Sequence, residues 1–173
     1  REEFDGSAWA RIARSHLGGL PPEVDLKAEV ALGNVVRALS AADGPDGRPL
    51  VRAAHDLSNG GLVQSLVDSA LRFGIGGVFD VAGAARRDCV GDHEMLLSES
   101  QARAFVAVPE AAVKAVFAAA EAEGVDAVRI GTTGGDMLAI SGVDLLAAEG
   151  EGCGWIASID ELRELSETGR KYF

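Results

Sequence analysis

The residues best suited to chemistry lie in the segment HDLSNGG, His55 to Gly61. It follows a short apolar run and precedes a helical pattern, so its polar side chains belong at the mouth of a sheet. Gly60 and Gly61 let the backbone approach a ligand closely, and the free N–H groups of the next helix favour an anion such as phosphate. Asp56 offers a hard oxygen to magnesium, whose shell phosphates usually complete. A second account needs no ligand. Asp56, Ser58 and Asn59 cap the helix and fill the turn, with His55 satisfied inside the strand, and spacing alone favours this account.

A second polar island is LLSESQAR, Leu96 to Arg103, where Ser98, Glu99, Ser100 and Gln101 interrupt two apolar runs. Serine and glutamine donate to and accept from a neutral group such as an amide or a ribose, and Glu99 suits a metal or a hydroxyl. The plainer account is a surface loop, or a helix start capped by Ser98. GTTGGD, Gly131 to Asp136, lacks the lysine of a Walker-type phosphate loop and reads as a hairpin turn. GIGGVF, Gly74 to Phe79, has the wrong spacing for a dinucleotide fingerprint. His16, His55 and His93 are the three histidines, neither cysteine has a histidine beside it, and there is no GxSxG elbow. Nucleophilic hydrolysis is therefore unsupported. Asp92, His93 and Glu94 are neighbours in sequence, which seldom converge on one ion, and read as solvated charge.

These islands need elements to carry them. Ser7 to Leu17 has helical spacing and stops at Gly18-Gly19. Asp25 caps a second helix with the stripe Leu26, Val30, Val35, Val36 and Leu39, and Asp43 to Pro49 is a loop open to insertion. Leu50 to His55 is a buried strand and Gly61 to Phe73 a helix closed by Gly74. Ile75 to Val81 is a strand, Ala82 to Asp92 is irregular, Arg103 to Val108 is a strand, and Pro109 to Glu123 is a helix ended by Gly124. Ala127 to Ile130 and Met137 to Ile140 read as antiparallel neighbours joined by the glycine-rich turn. Ile159 to Gly169 is a helix with Leu162 and Leu165 inward. The expected fold is α+β, an α-β sandwich with helices packed on a mixed sheet.

Composition narrows the function. The 173 residues predict one domain at roughly 150 residues per domain, 1–173, with 1–24 as entry helix and linker. A net charge of −11 excludes a nucleic-acid clamp and disfavours anionic membranes, so neither is an expected partner. No apolar run reaches the about 18 residues of a spanning helix. The lone cysteines Cys89 and Cys153 signal neither disulfide nor zinc, which fits a reducing cytoplasm. Arg1 in place of Met predicts a fragment of something longer.

HDLSNGGL, LLSESQAR and IGTTGGDMLAISG, in that order and after DGSAWARI and GGLPPEVDL, resemble the C-terminal part of the large, PurL-type subunit of phosphoribosylformylglycinamidine synthase. The resemblance covers nearly the whole chain and extends to the aminoimidazole ribonucleotide synthetase-related C-terminal domain, with its PurM-like fold. It implies an ATP-dependent ligase of purine biosynthesis that uses magnesium and glutamine-derived ammonia to convert formylglycinamide ribonucleotide to formylglycinamidine ribonucleotide. It implies as partners the remaining domains of the large subunit, a glutaminase subunit and a small accessory subunit, with a homodimer as a substitute for the missing domains. In the family most ATP and magnesium ligands, and the catalytic histidine, lie on the other domains, so no catalytic residue is expected in this chain. The ligand contacts carried over are His55, Asp56, Asn59, Gly60, Gly61, Glu99, Ser100 and Gln101, with Asp56 the metal candidate. Asn59 stands where the family commonly has Asp, which removes a charge from the turn.

The function expected is a structural and ligand-cleft domain of the synthase, without catalysis alone. Two alternatives stay open: a stand-alone interaction or regulatory module that kept the fold and lost ligand binding, and a small ligand-binding enzyme acting through Asp56.

Overall fold

A computed structural model describes residues 4–88, 90–142 and 154–169. The elements run α1 (Ala8–Arg14), α2 (Leu26–Ser40), β1 (Ala53–Asp56), α3 (Gly61–Phe73), β2 (Gly77–Asp80), α4 (Ala82–Asp88), α5 (Asp92–Leu97), β3 (Ala104–Ala107), a 3-10 turn (Glu110–Ala112), α6 (Val113–Ala122), β4 (Gly131–Thr133), β5 (Met137–Ser141), β6 (Gly154–Ser158) and α7 (Ile159–Gly169). The described residues form two compact units, one of residues 61–88, 90–98, 130–142 and 154–169, the other of residues 4–60 and 99–129. Among the described residues no helix is long and apolar enough to cross a membrane.

The unit that holds α1, α2 and α6 is built on an antiparallel pair, β1 with β3, in the register Ala53 to Ala107 through Asp56 to Ala104. Asp25 caps α2 as the sequence predicts, its Oδ1 accepting from Lys27 N at 2.9 Å and Ala28 N at 3.1 Å. The core gathers Val35, Leu39, Leu50 and Ala112, with Val108, Val116 and Val125 packed against it. Leu26 and Val30, counted in the expected stripe, are exposed because the first turns of α2 lie outside this core. α1 stops three residues early: Ser15 turns left-handed at φ 50° and His16 N–H bonds back to Ala10 O at 3.1 Å. The loop 43–49 is itself folded, with Gly47 N–H donating to Gly44 O and Arg52 ion-paired to Asp46.

In the other unit four strands form a mixed sheet in the order β4-β2-β5-β6. β2 runs antiparallel to β4 and parallel to β5, and β5 runs antiparallel to β6. This corrects the expected hairpin. The strand after Val128 begins at Gly131 rather than Ala127, and β2 lies between it and β5, so the glycine-rich turn spans an intervening strand. Glycines make the insertion possible. A β-carbon at Gly76 would overlap the backbone carbonyl of Met137, and one at Gly131 that of Val78. The turn then clasps β2, with Gly76 N–H donating to Gly135 O at 2.8 Å and Gly134 N–H to Gly76 O at 2.9 Å. GIGG, silent as a cofactor motif, is the signature of this close packing.

Phe79, Leu138, Ile140 and Ala157 share the buried face of the sheet, while α3 packs on α5 and α7. Residues 82–88, expected to be irregular, form α4, and the Asp80 carboxylate accepts from its first N–H, that of Ala82, at 3.0 Å. Helix α7 has the predicted bounds, but only Leu162 of its two leucines is buried; Leu165 is exposed. Its start is a capping box: Glu161 Oε2 accepts from Ser158 N at 2.8 Å while Ser158 Oγ accepts from Glu161 N at 3.2 Å. β6 has no counterpart among the elements expected from the sequence. Cys89 and Cys153, and the side chains of Asp92 and His93, lie outside the described residues.

The sheet makes a pair of glycine substitutions diverge. Gly76→Ala should destabilise the chain by about 2–3 kcal/mol, because the added methyl group meets backbone. Gly33→Ala, on an exposed turn of α2 with open space around it, should stabilise by about 0.5–1 kcal/mol. Urea melts of both variants check the opposite signs.

Candidate functional site

HDLSNGG begins at the end of β1 and closes at the start of α3. His55 faces its cross-strand partner Phe105, their rings stacked with centroids 6.0 Å apart. Its Nδ1 lies 2.6 Å from Asp56 O and 3.4 Å from Asp56 Oδ1. His55 is thus satisfied within the strand. Asp56 projects outward, its side chain 73% exposed. A hydrogen bond from Ser58 holds its carboxyl below the ordinary aspartate range; partial burial opposes that, and His55 assists it. The ladder continues past β1 with Leu57 N–H donating to Arg103 O at 3.0 Å, after which the chain turns through exposed Ser58 and Asn59.

Gly60 and Gly61 both have positive φ, 77° and 66°. The close approach that Gly61 permits is to protein: a β-carbon there would stand 2.6 Å from Leu96 O. The Gly60 N–H is also engaged, donating to Glu99 Oε1 at 2.8 Å. The same oxygen accepts from Ala8 N–H at 2.8 Å. The structure therefore brings together two sequence-predicted residues, Gly60 and Glu99, and bonds them to each other.

SESQ is irregular chain after α5, with Ser98 at the C-terminal end of that helix, not at a helix start, its N–H donating to Glu94 O at 3.2 Å. Ser98 and Ser100 are buried, Glu99 is half-buried and Gln101 is exposed. The next residue, Ala102, has φ 56° and donates its N–H to Glu29 Oε1 at 2.8 Å. Sequence reasoning misses Glu29 and Ala8. They lie 73 and 91 positions from their partners, and nothing local marks either.

The outward-facing polar groups of the two segments are Asp56, Ser58, Asn59 and Gln101. One hard carboxylate and two amides suit a polar ligand with a metal-bound anion. Asp56 fits one coordination position of a magnesium ion. Among the described residues no group of three histidine, cysteine, aspartate or glutamate side chains converges on one point, so the remaining positions would fall to the ligand and to other donors. Gly74, Asp136, Ser158 and Arg163 border a separate shallow cavity of about 190 Å³ at the start of α7.

The Ser58 bond gives a pH-dependent expectation. Because the folded pKa of Asp56 is depressed, its contribution to stability is complete above the ordinary aspartate range and disappears as pH falls through the folded value. Ser58→Ala should move the Asp56 titration up toward the ordinary range. A carboxyl-detected NMR titration of both proteins checks the direction.

Residues 2–141 match the family model described as AIR synthase related protein, C-terminal domain. The chain is 44% identical over 142 residues to the phosphoribosylformylglycinamidine synthase subunit PurL of Nocardioides sp., covering 82% of this chain and 17% of that protein. It is 42% identical over 174 residues to the PurL subunit of Renibacterium salmoninarum, covering all of this chain and 21% of that one. The chain thus spans about a fifth of the length of these curated relatives. Among solved structures it resembles PurLQS from Thermotoga maritima with a TM-score of 0.63 at 16% identity, over 86% of this chain and 23% of that one. It also resembles T. maritima PurL complexed with ATP, with a TM-score of 0.52 at 16% identity, over 65% and 19%. These two share the fold. By the family match and by the order of its motifs, the chain belongs to the family of C-terminal domains of AIR synthase related proteins.

Proposed function

We propose that residues 1–173 are the C-terminal domain of a PurL-type phosphoribosylformylglycinamidine synthase, one segment of a longer cytoplasmic polypeptide. The observation that carries this is the 42–45% identity to PurL subunits along the chain. The larger enzyme activates the amide oxygen of formylglycinamide ribonucleotide with ATP; that oxygen leaves in phosphate, and ammonia supplies the nitrogen that replaces it. The likeness to PurLQS of T. maritima supports further subunits beside the large one, which we assign as a glutaminase and a small accessory protein.

Within that enzyme this chain forms one wall of a ligand cleft and contributes no reacting group. Asp56, an exposed carboxylate that accepts a hydrogen bond from Ser58, is one oxygen ligand for a magnesium-nucleotide. Asn59 and Gln101 offer neutral amides that donate to phosphate or ribose oxygens. His55, Gly60, Gly61 and Ser100 shape the backbone behind them, since each is packed or hydrogen-bonded within the protein. The ATP-bound T. maritima relative supports nucleotide as the ligand class of the parent enzyme.

The test replaces the matching segment of Nocardioides PurL with this chain and measures ammonia-dependent synthesis of formylglycinamidine ribonucleotide. Activity within about tenfold of the parent, or about 1.4 kcal/mol of barrier, is expected. Asp56→Asn in that chimera should raise the KM for magnesium-ATP by about tenfold. A folded but inactive chimera would instead favour an interaction module that kept the fold and lost the ligand.

A further inference from the structure

The glutamate of SESQ is committed to the protein's own backbone. One oxygen, Glu99 Oε1, accepts from Ala8 N–H and from Gly60 N–H, each at 2.8 Å. Ala8 is the first residue of α1, and Gly60 is the last residue of the turn that follows β1. The segment is anchored a second time three residues later, where Ala102 N–H donates to Glu29 Oε1. Ala102 has a left-handed backbone that a β-carbon disfavours, so this second carboxylate holds a conformation the residue would not adopt by preference. Both anchors are charge-assisted bonds to backbone N–H, the stronger class of hydrogen bond. Between them Ser100 points inward and Gln101 outward.

We infer that Glu99 is a positioning residue: it sets the Gly60 turn and couples that turn to α1, and a ligand at this wall meets Gln101 and Asp56 instead of Glu99. The inference rests on the ligand-cleft function proposed above only in its last clause. Glu99 consumes the Gly60 N–H that an incoming anion would otherwise use, so the turn serves the site through its shape. The same oxygen joins elements far apart in sequence, so loosening α1 must loosen the turn.

Ala8→Pro separates the arms. Proline is well accepted at the first residue of a helix, Ser7 before it is already extended at ψ 160°, and the substitution replaces the N–H that Glu99 accepts with a ring carbon, so the carboxylate must give up its bond to α1. Residue-resolved amide exchange on the whole chain then reads the coupling. Glu99→Ala should accelerate exchange of Gly60 and of the α1 amides together by about tenfold or more, with β5 unchanged. Glu99→Gln, which keeps an accepting oxygen, should restore most of the protection. Ala8→Pro should accelerate Gly60 although Glu99 is intact, and in the PurL chimera it should raise the KM for ATP while leaving kcat.

The inference is overturned if Ala8→Pro leaves Gly60 unchanged, or if Glu99→Gln exchanges as fast as Glu99→Ala. It is also overturned if millimolar magnesium protects Gly60 in the wild type and not in Glu99→Gln, which would make Glu99 a metal ligand. Should Glu99→Ala fail to fold, the other two variants decide. An unmodified chimera without activity would count against the proposed synthase function and leave the exchange result to judge the coupling.

Discussion

A half-buried carboxylate must find donors, and buried backbone N–H groups must find acceptors. Glu99 meets both demands at once, and the arrangement of its unit follows from that pairing. The β1–β3 ladder delivers the chain to the turn at Asn59 and Gly60 on one strand, and SESQ runs into the other strand at Ala104. The carboxylate closes the space where these segments meet and reaches the start of α1 as well. A neutral side chain without an acceptor would leave two N–H groups unpaired, at about 1–3 kcal/mol each. The glutamate therefore has a structural reason to be there that is independent of any ligand.

The second constraint is steric and belongs to the other unit. A strand that inserts between two partners must bring its backbone within hydrogen-bond distance on both edges, and β2 does so where Gly76, Gly77 and Gly131 have no side chains to obstruct it. The result is a mixed sheet in which the parallel pair, β2 with β5, is buried on the face carrying Phe79, Leu138 and Ile140. Alternation along the strands places Val78 and Ile156 on the opposite, exposed face, in one row with Ala139.

For function, the two segments divide into groups that build and groups that present. His55 packs on Phe105, Gly61 fits against Leu96, Gly60 bonds Glu99, and Ser100 is buried. Asp56, Asn59 and Gln101 face outward. His55 is satisfied within the strand, as the ligand-free account expects, and the glycines that the ligand account reserved for close approach to an anion are engaged by the protein itself, Gly61 against Leu96 and Gly60 with Glu99. In the proposed function this wall, one charge and two amides, supplies only part of a nucleotide site, and the chain spans about a fifth of the length of its curated relatives.

Local physics in the sequence determined a good part of this protein. Capping by Asp25, the apolar periodicity of 61–73 and its stop at Gly74, and the amphipathic pattern of 159–169 each act within a few residues, and those helices form where the pattern predicts. The polar islands were also legible, since runs such as HDLSNGG and SESQ interrupt apolar segments. Tertiary structure alone decided the strand order, because whether GTTGGD closes a hairpin or spans an inserted strand depends on a partner more than fifty residues away. It also decided which of the polar residues are spent. The bonds from Glu99 to Ala8 and from Glu29 to Ala102 cross 91 and 73 positions, and no local propensity encodes a contact at that separation.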